Sequence, residues 1–459
     1  MPASYTTQLQ SLRKYFNEGN TRSYSFRKNQ LRALKDAIIR HEQALYDALY
    51  KDLHKSREEA WVTELGIVVS EIGLALKKLR KWMKPQRVRT NLLNIPSSSR
   101  IIHEPLGVVL IIAPWNYPFQ LLLNPMIGAI AAGNCMVVKP SEFATSTDEV
   151  IGRILKEVFP PEYVLYVQGD GAEVVPGLMN EFRFDHVFYT GSTSVGKAVY
   201  KMAAEQLVPV TLELGGKSPC VVAKDANIEV AARRIALSKF SNAGQMCIAP
   251  DYVLVHQSVK DALIAEFRKA IIHFFGNDPL QSDEYGRIIN QKQFDRLAGY
   301  LNNGSVAFGG SVDREALYIS PTILQDVDLR SNVMEEEIFG PIMPVISFSS
   351  DEEVKEIISQ HPDPLAFYLF TKSKEEEDKW LGSVAFGGGC VNNTALHFTN
   401  NRLPFGGRGN SGLGRYHGKY SFDTFTHQKS ILKTPNWPDP AIKYPPFKGK
   451  LNLFKKIIK

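Results

Sequence analysis

Cys247 lies in a loop whose composition favours an accessible, reactive thiol. The loop runs from Asn242 to Pro250 and includes Gly244, so regular packing is interrupted around the sulfur. Upstream, Glu213 is followed by two successive glycines, which let the backbone approach a ligand closely. A thiol and a separate carboxylate suit covalent catalysis, in which the thiol attacks and the carboxylate later activates water. Most free cysteines are small buried hydrophobic residues, so Cys247 alone does not establish a nucleophile.

Asn116 is a candidate donor to a developing negative charge. It follows the β-branched run 108–112, which predicts a buried strand that ends near Pro114. In open α/β sheets, ligands bind at the carboxyl ends of the strands, so a side chain at this position would face a crevice. The amide N–H groups of Asn116 would then reach an oxyanion. Capping of the following helix explains the same residue, and both interpretations stay open.

A Gly-rich turn, residues 190–197, follows a second predicted strand and opens a helical pattern. Such a turn offers free backbone N–H groups and the positive end of a helix to a phosphate. The turn is not a P-loop, because Ala198 stands where a hydroxyl residue would bind magnesium. It also departs from the G-x-G-x-x-G fingerprint, since four residues separate Gly191 from Gly196. An ordinary capped turn is the alternative.

Three further motifs are individually weak. Lys139 and Glu142 follow a predicted strand, where they suit hydrogen bonds to ribose hydroxyls, although a solvated turn explains them as well. The second is the segment 336–341, and the third is the segment 404–407 together with 411–415; their glycines and prolines are also typical of ordinary loops.

The elements that must position these residues alternate between strands and helices after an N-terminal helical region at about residues 22–84. This alternation predicts an α/β fold of two doubly wound, Rossmann-like domains with parallel sheets. Two further segments, near 87–103 and 426–433, are rich in strand formers and predict a small β arm that pairs across a subunit interface. The predicted division is a dinucleotide-binding domain at 1–86 and 106–211, a catalytic domain at 212–412, an oligomerisation arm at 87–105 and 413–437, and a basic amphipathic tail at 438–459.

Composition narrows the class of protein. The 459 residues are 44% hydrophobic and 22% charged, as in ordinary globular proteins, and a net charge of +6 gives little support for a nucleic-acid partner. The four cysteines lack metal-ligand spacing, so we expect no metal site and a reducing, cytoplasmic location. We expect no signal peptide at residues 1–6. The uncharged run 105–138 contains recurrent proline and asparagine, which disfavours a spanning helix.

Taken together, in order and spacing, these motifs resemble the aldehyde dehydrogenase superfamily from about residue 20 to 434. The short N-terminus and the segments 115–117 and 249–252 make the chain similar to the class 3 branch, which acts on fatty or aromatic aldehydes. One departure is Met246, where a small polar residue is more usual, and this leaves the substrate range open.

The resemblance implies a role for each motif. Cys247 would be the nucleophile, Asn116 and the Cys247 N–H the oxyanion hole, and Glu213 the hydrolytic base, with Glu337 as the alternative base. Glu142 would favour a 2′-hydroxyl over a 2′-phosphate, so NAD is the expected cofactor and NADP the alternative. A homodimer is expected, with a tetramer as the alternative. The cofactor-binding residues would be Trp115, Lys139, Glu142, Gly191, Ser192, Val195, Gly196, Leu214, Glu337 and Phe339.

The expected function is therefore NAD(P)-dependent oxidation of medium- or long-chain aliphatic, or aromatic, aldehydes to carboxylic acids. A second possibility keeps the thioester but transfers the acyl group to coenzyme A, or performs simple hydrolysis. Glu213 favours water as the acceptor. A third possibility is a non-catalytic cofactor-binding protein, which would have no need of Cys247, Glu213 and Asn116 together.

The last 15 residues carry five lysines and no acidic residue. Phe447, Leu451, Phe454 and Ile458 fall on one face of a predicted helix. A basic amphipathic helix of this kind can lie on an anionic membrane, at the inner face, but is too short to span it. Packing of the tail on a subunit partner is the alternative, and we favour it slightly.

Overall fold

The computed structural model describes residues 5–458. Residues 1–4 and Lys459, which include most of the segment examined for a signal peptide and the last lysine of the tail, lie outside the described residues. The helices are α1 (Thr6–Asn17), α2 (Tyr24–Arg40), α3 (Glu42–Leu53), α4 (Arg57–Ala60), α5 (Gly66–Trp82), α6 (Gln120–Ala132), α7 (Thr145–Val158), α8 (Gly171–Glu181), α9 (Thr193–Glu205), α10 (Ile228–Phe240), α11 (Lys260–Phe275), α12 (Gln291–Tyr300), α13 (Asn332–Glu335), α14 (Asp351–Ser359), α15 (Lys374–Ser383), α16 (Lys419–Thr424) and α17 (Leu451–Ile457).

A π-helical turn, Trp61–Leu65, joins α4 to α5. The strands are β1 (Gln86–Val88), β2 (Ser98–Pro105), β3 (Val108–Ile112), β4 (Cys135–Lys139), β5 (Val164–Tyr166), β6 (His186–Thr190), β7 (Val210–Glu213), β8 (Pro219–Val222), β9 (Tyr252–His256), β10 (Ser305–Phe308), β11 (Val312–Asp313), β12 (Tyr318–Ile319), β13 (Thr322–Gln325), β14 (Ile342–Phe348), β15 (Ala366–Phe370), β16 (Gly388–Val391), β17 (Gly412–Leu413) and β18 (Thr426–Lys433).

The first sheet has the strand order β17-β7-β6-β3-β4-β5. Strands β3 to β7 are parallel, and β17 closes one edge in the antiparallel sense. Every residue of β3, β4 and β6 is buried, because both faces of the sheet are covered. The chain passes from β3 through β4 to β5 and then returns to β6 on the other side of β3. Since the order reverses there, the loops after β3 and β6 border a natural ligand crevice.

The second sheet has the order β10-β13-β14-β9-β8-β15-β16, with β10 as its antiparallel edge strand. A short linker joins the end of β7 to the start of β8, so the carboxyl edge of the first sheet faces the amino edge of the second. Glu213 ends β7, and Cys247 lies just before β9. The two chemical groups therefore approach the same junction from opposite sheets.

The predicted α/β fold with two parallel sheets and a small β arm is confirmed. In the arm, β2 pairs with both β1 and β18, and the β2–β18 ladder runs antiparallel over eight residue pairs. The two segments expected to pair across an interface thus pair first with each other. Strands β1 and β18 remain as edges, and most of their side chains are exposed.

Some predicted bounds differ from the structure. The first helix begins at Thr6 rather than near residue 22. The predicted division between residues 211 and 212 falls inside β7, a strand of the first sheet that pairs with β6 and β17. Strand β17 has only two residues, too few to show an alternating pattern, so its return to the first sheet was not apparent from the sequence.

The prediction that Phe447 shares a helical face with Phe454 is wrong. Helix α17 begins at Leu451, after Gly449 and the consecutive prolines 445–446, which cannot supply helical backbone N–H groups. The two rings still contact each other across the turn, with centroids 5.7 Å apart. In the described part of the chain, no helix is long and apolar enough to cross a membrane.

Candidate active site

A cleft of about 890 Å³ lies at the junction of the two sheets. Its walls include the loops that follow β3, β6 and β7 and the loop that precedes β9. These loops are far apart in sequence, and the fold brings their functional side chains into one space. The predicted site residues that line it are Trp115, Asn116, Gly191, Ser192, Glu213, Leu214, Cys247, Glu337 and Phe339.

Cys247 is half-buried in this cleft. Burial raises the pKa of its thiol, and the nearby carboxylates of Glu337 and Glu213 raise that pKa further. A thiol with a raised pKa stays protonated at neutral pH, and only the thiolate is strongly nucleophilic. Attack by Cys247 therefore requires a base or a bound cation in the cleft.

The cysteine loop, residues 241–251, passes through consecutive left-handed residues. Asn242 and Ala243 have φ of 50°, and Gly244 has φ of 74°. For a non-glycine residue this conformation costs roughly 1–2 kcal/mol, so other contacts must hold the turn. One such contact is the side chain of Asn242, whose Nδ2 donates to the carbonyl oxygen of Asn116 at 2.9 Å.

The side chain of Asn116 is buried and fixed in orientation. Its Nδ2 donates to the carbonyl oxygen of Gln245 at 3.0 Å, which leaves the second amide hydrogen for another acceptor. Because Asn116 and Cys247 line the same cleft, that N–H group is suited to an oxyanion on a substrate bound to the sulfur. The capping interpretation is wrong, since α6 begins at Gln120 and has no side-chain cap.

Glu213 is buried, and neither of its carboxylate oxygens has a hydrogen-bond partner among the described residues. Burial raises the pKa of this carboxyl well above its usual value. An unpaired buried carboxylate is costly unless it is protonated or finds a ligand. Glu213 is therefore suited to hold a water molecule or another polar group in the cleft.

The carboxyl of Glu337 is the second acid of the cleft. Burial raises its pKa to about 8, Asp251 adds to the rise, and a hydrogen bond from the Gly216 N–H opposes it. The carboxylate packs against Gly215, where a Cβ atom would lie 1.8 Å from Oε2. The absence of a side chain at Gly215 thus makes room for Glu337.

Lys217, the last residue of the motif that begins at Glu213, holds the loop that carries Glu337. Its Nζ donates to Asp251 Oδ2 at 2.6 Å and to the carbonyl oxygens of Val333 and Glu336 at 2.7 and 2.9 Å. Lys217 and Asp251 are both buried. This ammonium fixes Glu337 through backbone contacts.

The turn after β6 forms a close-fitting cradle. Ser192 caps α9, since its Oγ accepts a hydrogen bond from a backbone N–H in the first turn. A Cβ atom on Gly191 would lie 2.4 Å from the Tyr189 hydroxyl oxygen, and one on Gly196 would lie 2.5 Å from Leu214 Cδ2. The remaining N–H groups of the first turn are open to an anion, which fits a dinucleotide phosphate.

Four predicted cofactor residues do not line the cleft. Gly196 is buried under the cradle, and Val195 is exposed on the first turn of α9. Lys139 and Glu142 form an ion pair of 2.7 Å after β4, farther along the same sheet edge, and the Gly171 N–H donates to Glu142 at 3.2 Å. Acceptors and a positive helix end therefore lie along one edge, as an elongated dinucleotide requires.

The part of the cleft wall beside Cys247 is mostly apolar. Sequence motifs include only Tyr117, Met246 and Ile248, because the remaining residues belong to unconnected elements with no shared motif. A wall of this kind favours an apolar substrate next to the thiol. Its apolar members include Val62, Tyr117, Leu121, Leu237, Met246, Ile248, Leu396 and Phe398.

Sequence reasoning missed a charged group behind Asn116. Lys55 and Glu64 form an ion pair of 2.7 Å with no side-chain exposure, and Glu59 lies close to them. Charged side chains are almost never fully buried unless they are paired. Their region is helical and rich in charge, so nothing in their spacing distinguished them from solvated residues.

Comparisons with known proteins agree with this geometry. The model of the Aldehyde dehydrogenase family matches residues 4–431. The chain is 48% identical to 4,4′-diaponeurosporen-aldehyde dehydrogenase of Staphylococcus aureus (strain NCTC 8325 / PS 47), over 97% of each chain. It is 45% identical to aldehyde dehydrogenase family 3 member B1 of Rattus norvegicus, over 97% of this chain and 96% of that protein. It is 44% identical to the dimeric NADP-preferring aldehyde dehydrogenase of Canis lupus familiaris, over 96% and 98%.

Solved structures of aldehyde dehydrogenases share this fold. A substrate-bound structure of Staphylococcus aureus AldH superposes with a TM-score of 0.97 at 46% identity and covers all of both chains. An NAD+ complex of an aldehyde dehydrogenase from Bacillus cereus gives a TM-score of 0.82 at 29% identity, over 93% of this chain and 87% of that one.

The raised pKa of Glu337 predicts how the alkylation rate of the Cys247 thiol depends on pH. As pH rises through about 8, Glu337 becomes charged and opposes formation of the Cys247 thiolate. We expect Glu337→Gln to be alkylated by iodoacetamide at Cys247 faster than the wild type at about pH 9, and at a similar rate at about pH 6.5, where Glu337 is neutral. Mass spectrometry of the Cys247 peptide measures the rate. Equal rates at about pH 9 would contradict the electrostatic coupling.

Proposed function

Since the chain belongs to the aldehyde dehydrogenase family and to its class 3 branch, we propose that it oxidises medium- or long-chain aliphatic, or aromatic, aldehydes to carboxylic acids. Its oxidoreductase activity on aldehydes with NAD or NADP follows from the family. The observation that carries the finer proposal is the apolar wall beside Cys247. Burial of an alkyl chain there yields about 0.8 kcal/mol per methylene group, which favours longer substrates.

In the proposed mechanism, the thiol of Cys247 first loses its proton to a water molecule in the cleft, and the sulfur, now a thiolate, attacks the carbonyl carbon of the aldehyde. A C–S bond forms, and the carbonyl π electrons move to the oxygen, which becomes an alkoxide. The free amide N–H of Asn116 and the backbone N–H of Cys247 stabilise this charge. In a site that excludes water, each such donor contributes about 3–4 kcal/mol.

When bound, NAD(P) supplies the hydride acceptor that turns the thiohemiacetal on Cys247 into a thioester. We propose that Ser192, Gly191, Gly196 and Val195, in the cradle and first turn of α9, hold the phosphates.

The remaining cofactor contacts are proposed by position. Lys139 and Glu142 would hold the adenosine ribose, and Glu337 the nicotinamide ribose. A 2′-phosphate beside the Glu142 carboxylate would meet like charge, so NAD is the proposed preference. The rings of Trp115 and Phe339, with centroids 5.4 Å apart in an edge-to-face contact, would border the nicotinamide together with Leu214.

We propose Glu213 as the base that activates water for hydrolysis of the thioester. Its carboxyl group has no protein partner among the described residues, so its ionised form is free to accept a proton from water, and the raised pKa makes that form a stronger base. Glu337 is the alternative, and its pKa of about 8 also suits a base. Its carboxylate, however, already accepts the Gly216 N–H.

We further propose a homodimer that forms through the exposed edges of the β arm, at β1 or β18. One relative is described as dimeric. We propose that the enzyme works in the cytoplasm and, against the subunit packing that the sequence alone favours slightly, that its tail contacts the inner face of a membrane. In the tail, five lysines accompany exposed apolar side chains, among them Phe447, Leu451, Leu453 and Ile458.

The substrate proposal predicts a chain-length optimum. With linear aldehydes of about 2 to 12 carbons, we expect kcat/KM to rise by up to about fourfold per methylene until the apolar wall is covered. NADH or NADPH absorbance measures the rate with each cofactor, and Cys247→Ala should be inactive. A flat series would contradict the apolar pocket, and an active Cys247→Ala would contradict the nucleophile. A carboxylic acid as product, rather than an acyl-coenzyme A, would exclude transfer.

If Glu213 is the base, its replacement separates NADH formation, which continues, from thioester hydrolysis, which slows. Glu213→Gln should still release about one equivalent of NADH per site in the first turnover, because attack and hydride loss are intact. Its steady-state rate should fall by about 100-fold or more, because the thioester is not hydrolysed. Glu337→Gln is the matched variant. If Glu337→Gln gives the burst and Glu213→Gln keeps its steady-state rate, Glu337 is the base.

The tail proposal predicts binding to anionic lipid. We expect the full chain to sediment with vesicles that contain phosphatidylglycerol, and to dissociate as salt is raised. The chain without residues 438–459 should stay in solution, as should a variant with lysines 448, 450, 455 and 456 replaced by glutamine. If the truncated chain changes its oligomeric state and the full chain does not sediment with vesicles, the tail packs on a subunit partner.

A further inference from the structure

Lys55, Glu59 and Glu64 form a charged triad behind the oxyanion donor. Lys55 Nζ donates to Glu64 Oε1 at 2.7 Å and to the carbonyl oxygen of Asn116 at 3.0 Å. The ammonium also lies 3.9 Å from the centre of the Tyr117 ring. A hydrogen bond to the Asn116 carbonyl from a buried charge is strong and short, so it restrains the backbone that carries the donor amide.

The two carboxylates of the triad hold different backbone segments. Glu64 Oε2 accepts the Gln120 N–H at 2.8 Å, so Lys55 and Glu64 together restrain both ends of the segment 116–120. Glu59 Oε1 accepts the N–H of Asn242 at 2.7 Å, at the first left-handed residue of the cysteine loop. The triad therefore binds the backbone on both sides of the oxyanion hole.

The π-helical turn 61–65 explains how both carboxylates can face Lys55. In a regular α-helix, residues five apart are separated by about 140° around the axis, so Glu59 and Glu64 would point to different sides. A π turn closes its hydrogen bond over five residues and brings them nearer to one side. The turn is closed by the N–H of Gly66, which donates to the carbonyl of Trp61. A Cβ on Gly66 would lie 2.7 Å from that oxygen.

We propose that Lys55, Glu59 and Glu64 are positioning residues that set the spacing between the Asn116 amide and the Cys247 N–H. The inference rests on the proposed function, because it concerns the charge that forms when Cys247 attacks. Replacing a buried ion pair by apolar residues is often neutral or stabilising, so stability alone does not account for three charges here. Precise positioning for catalysis accounts for the three charges, because a displacement of about 1 Å in an active site can cost about 100-fold in rate.

A double-mutant cycle with Asn116 tests the proposal. Glu64→Gln and Glu59→Gln keep the side-chain shape and remove the charge, and each is made in the wild type and in Asn116→Ala. The measurement is the single-turnover rate of NADH formation at saturating aldehyde and NAD, with the dissociation constant of NAD measured separately. We expect each variant to lose about tenfold in rate with unchanged NAD binding. The loss should be under about twofold in Asn116→Ala, where the side-chain donor that the triad positions against the Cys247 N–H is absent.

Asp185→Asn provides the matched control. Asp185 also accepts a backbone N–H, that of Val108 at 2.7 Å, and pairs with Arg13, but at the amino edge of the first sheet, away from the cleft. We expect this variant to lower the thermal unfolding temperature and to leave the single-turnover rate unchanged.

The outcomes separate this inference from the function on which it rests. An equal fold-loss with and without Asn116, or an equal loss in Asp185→Asn, would overturn the positioning role and leave the mechanism intact. If Asn116→Ala keeps the wild-type rate, the donor role fails and the inference fails with it. If Glu64→Gln does not fold, Glu59→Gln, whose side chain is only partly buried, decides by the same criteria.

Discussion

Two hydrogen bonds between the cysteine loop and the loop after β3 hold the site together. Asn116 Nδ2 donates to the Gln245 carbonyl, and Asn242 Nδ2 donates back to the Asn116 carbonyl. The first bond orients the donor amide, and the second stabilises a left-handed turn that would otherwise cost free energy. Because one loop belongs to the first sheet and the other to the second, the relative position of the two sheets fixes the distance from the donor to the thiol.

The same burial that shapes the cleft also disfavours negative charge on three of its acidic groups. The thiol of Cys247 and the carboxyls of Glu213 and Glu337 all have raised pKa values, with burial as the largest cause. Neutral groups can be desolvated at little cost, whereas three anions in one apolar cleft would repel one another strongly. A cleft of this kind favours bound polar or cationic groups that offset the charge when one of the three ionises.

Two buried lysines perform parallel tasks on opposite sides of this cleft. Lys217 binds Asp251 and two carbonyls of the loop that carries Glu337, and Lys55 binds Glu64 and the carbonyl of Asn116. An ammonium has three donors, so one side chain can fix a carboxylate and neighbouring backbone at once. In each case the charge acts on the backbone, and the reacting side chains stay free to meet the substrate.

Local sequence was enough to predict most strands and to select candidate residues that the cleft brings together. The glycines around Cys247 and after Glu213, and the apolar run before Asn116, are patterns within about a dozen residues, and backbone preference and side-chain periodicity act over that range. Glycines 191 and 196 were recognised in the same way. A side chain at either position would have to displace the side chain of Tyr189 or Leu214.

Only the tertiary structure decided which of two roles a residue takes and which distant groups support it. Asn116 faces the cleft rather than capping α6, and Glu213 belongs to the first sheet, where it pairs with β6 on one side and with the two-residue strand β17 on the other. The partners of the buried charges are remote in sequence: Lys55 is 61 residues from Asn116, and Glu59 is 183 residues from Asn242. A buried charge needs a partner next to it in the folded protein. When that partner is far away in the sequence, the pattern of neighbouring residues cannot indicate it.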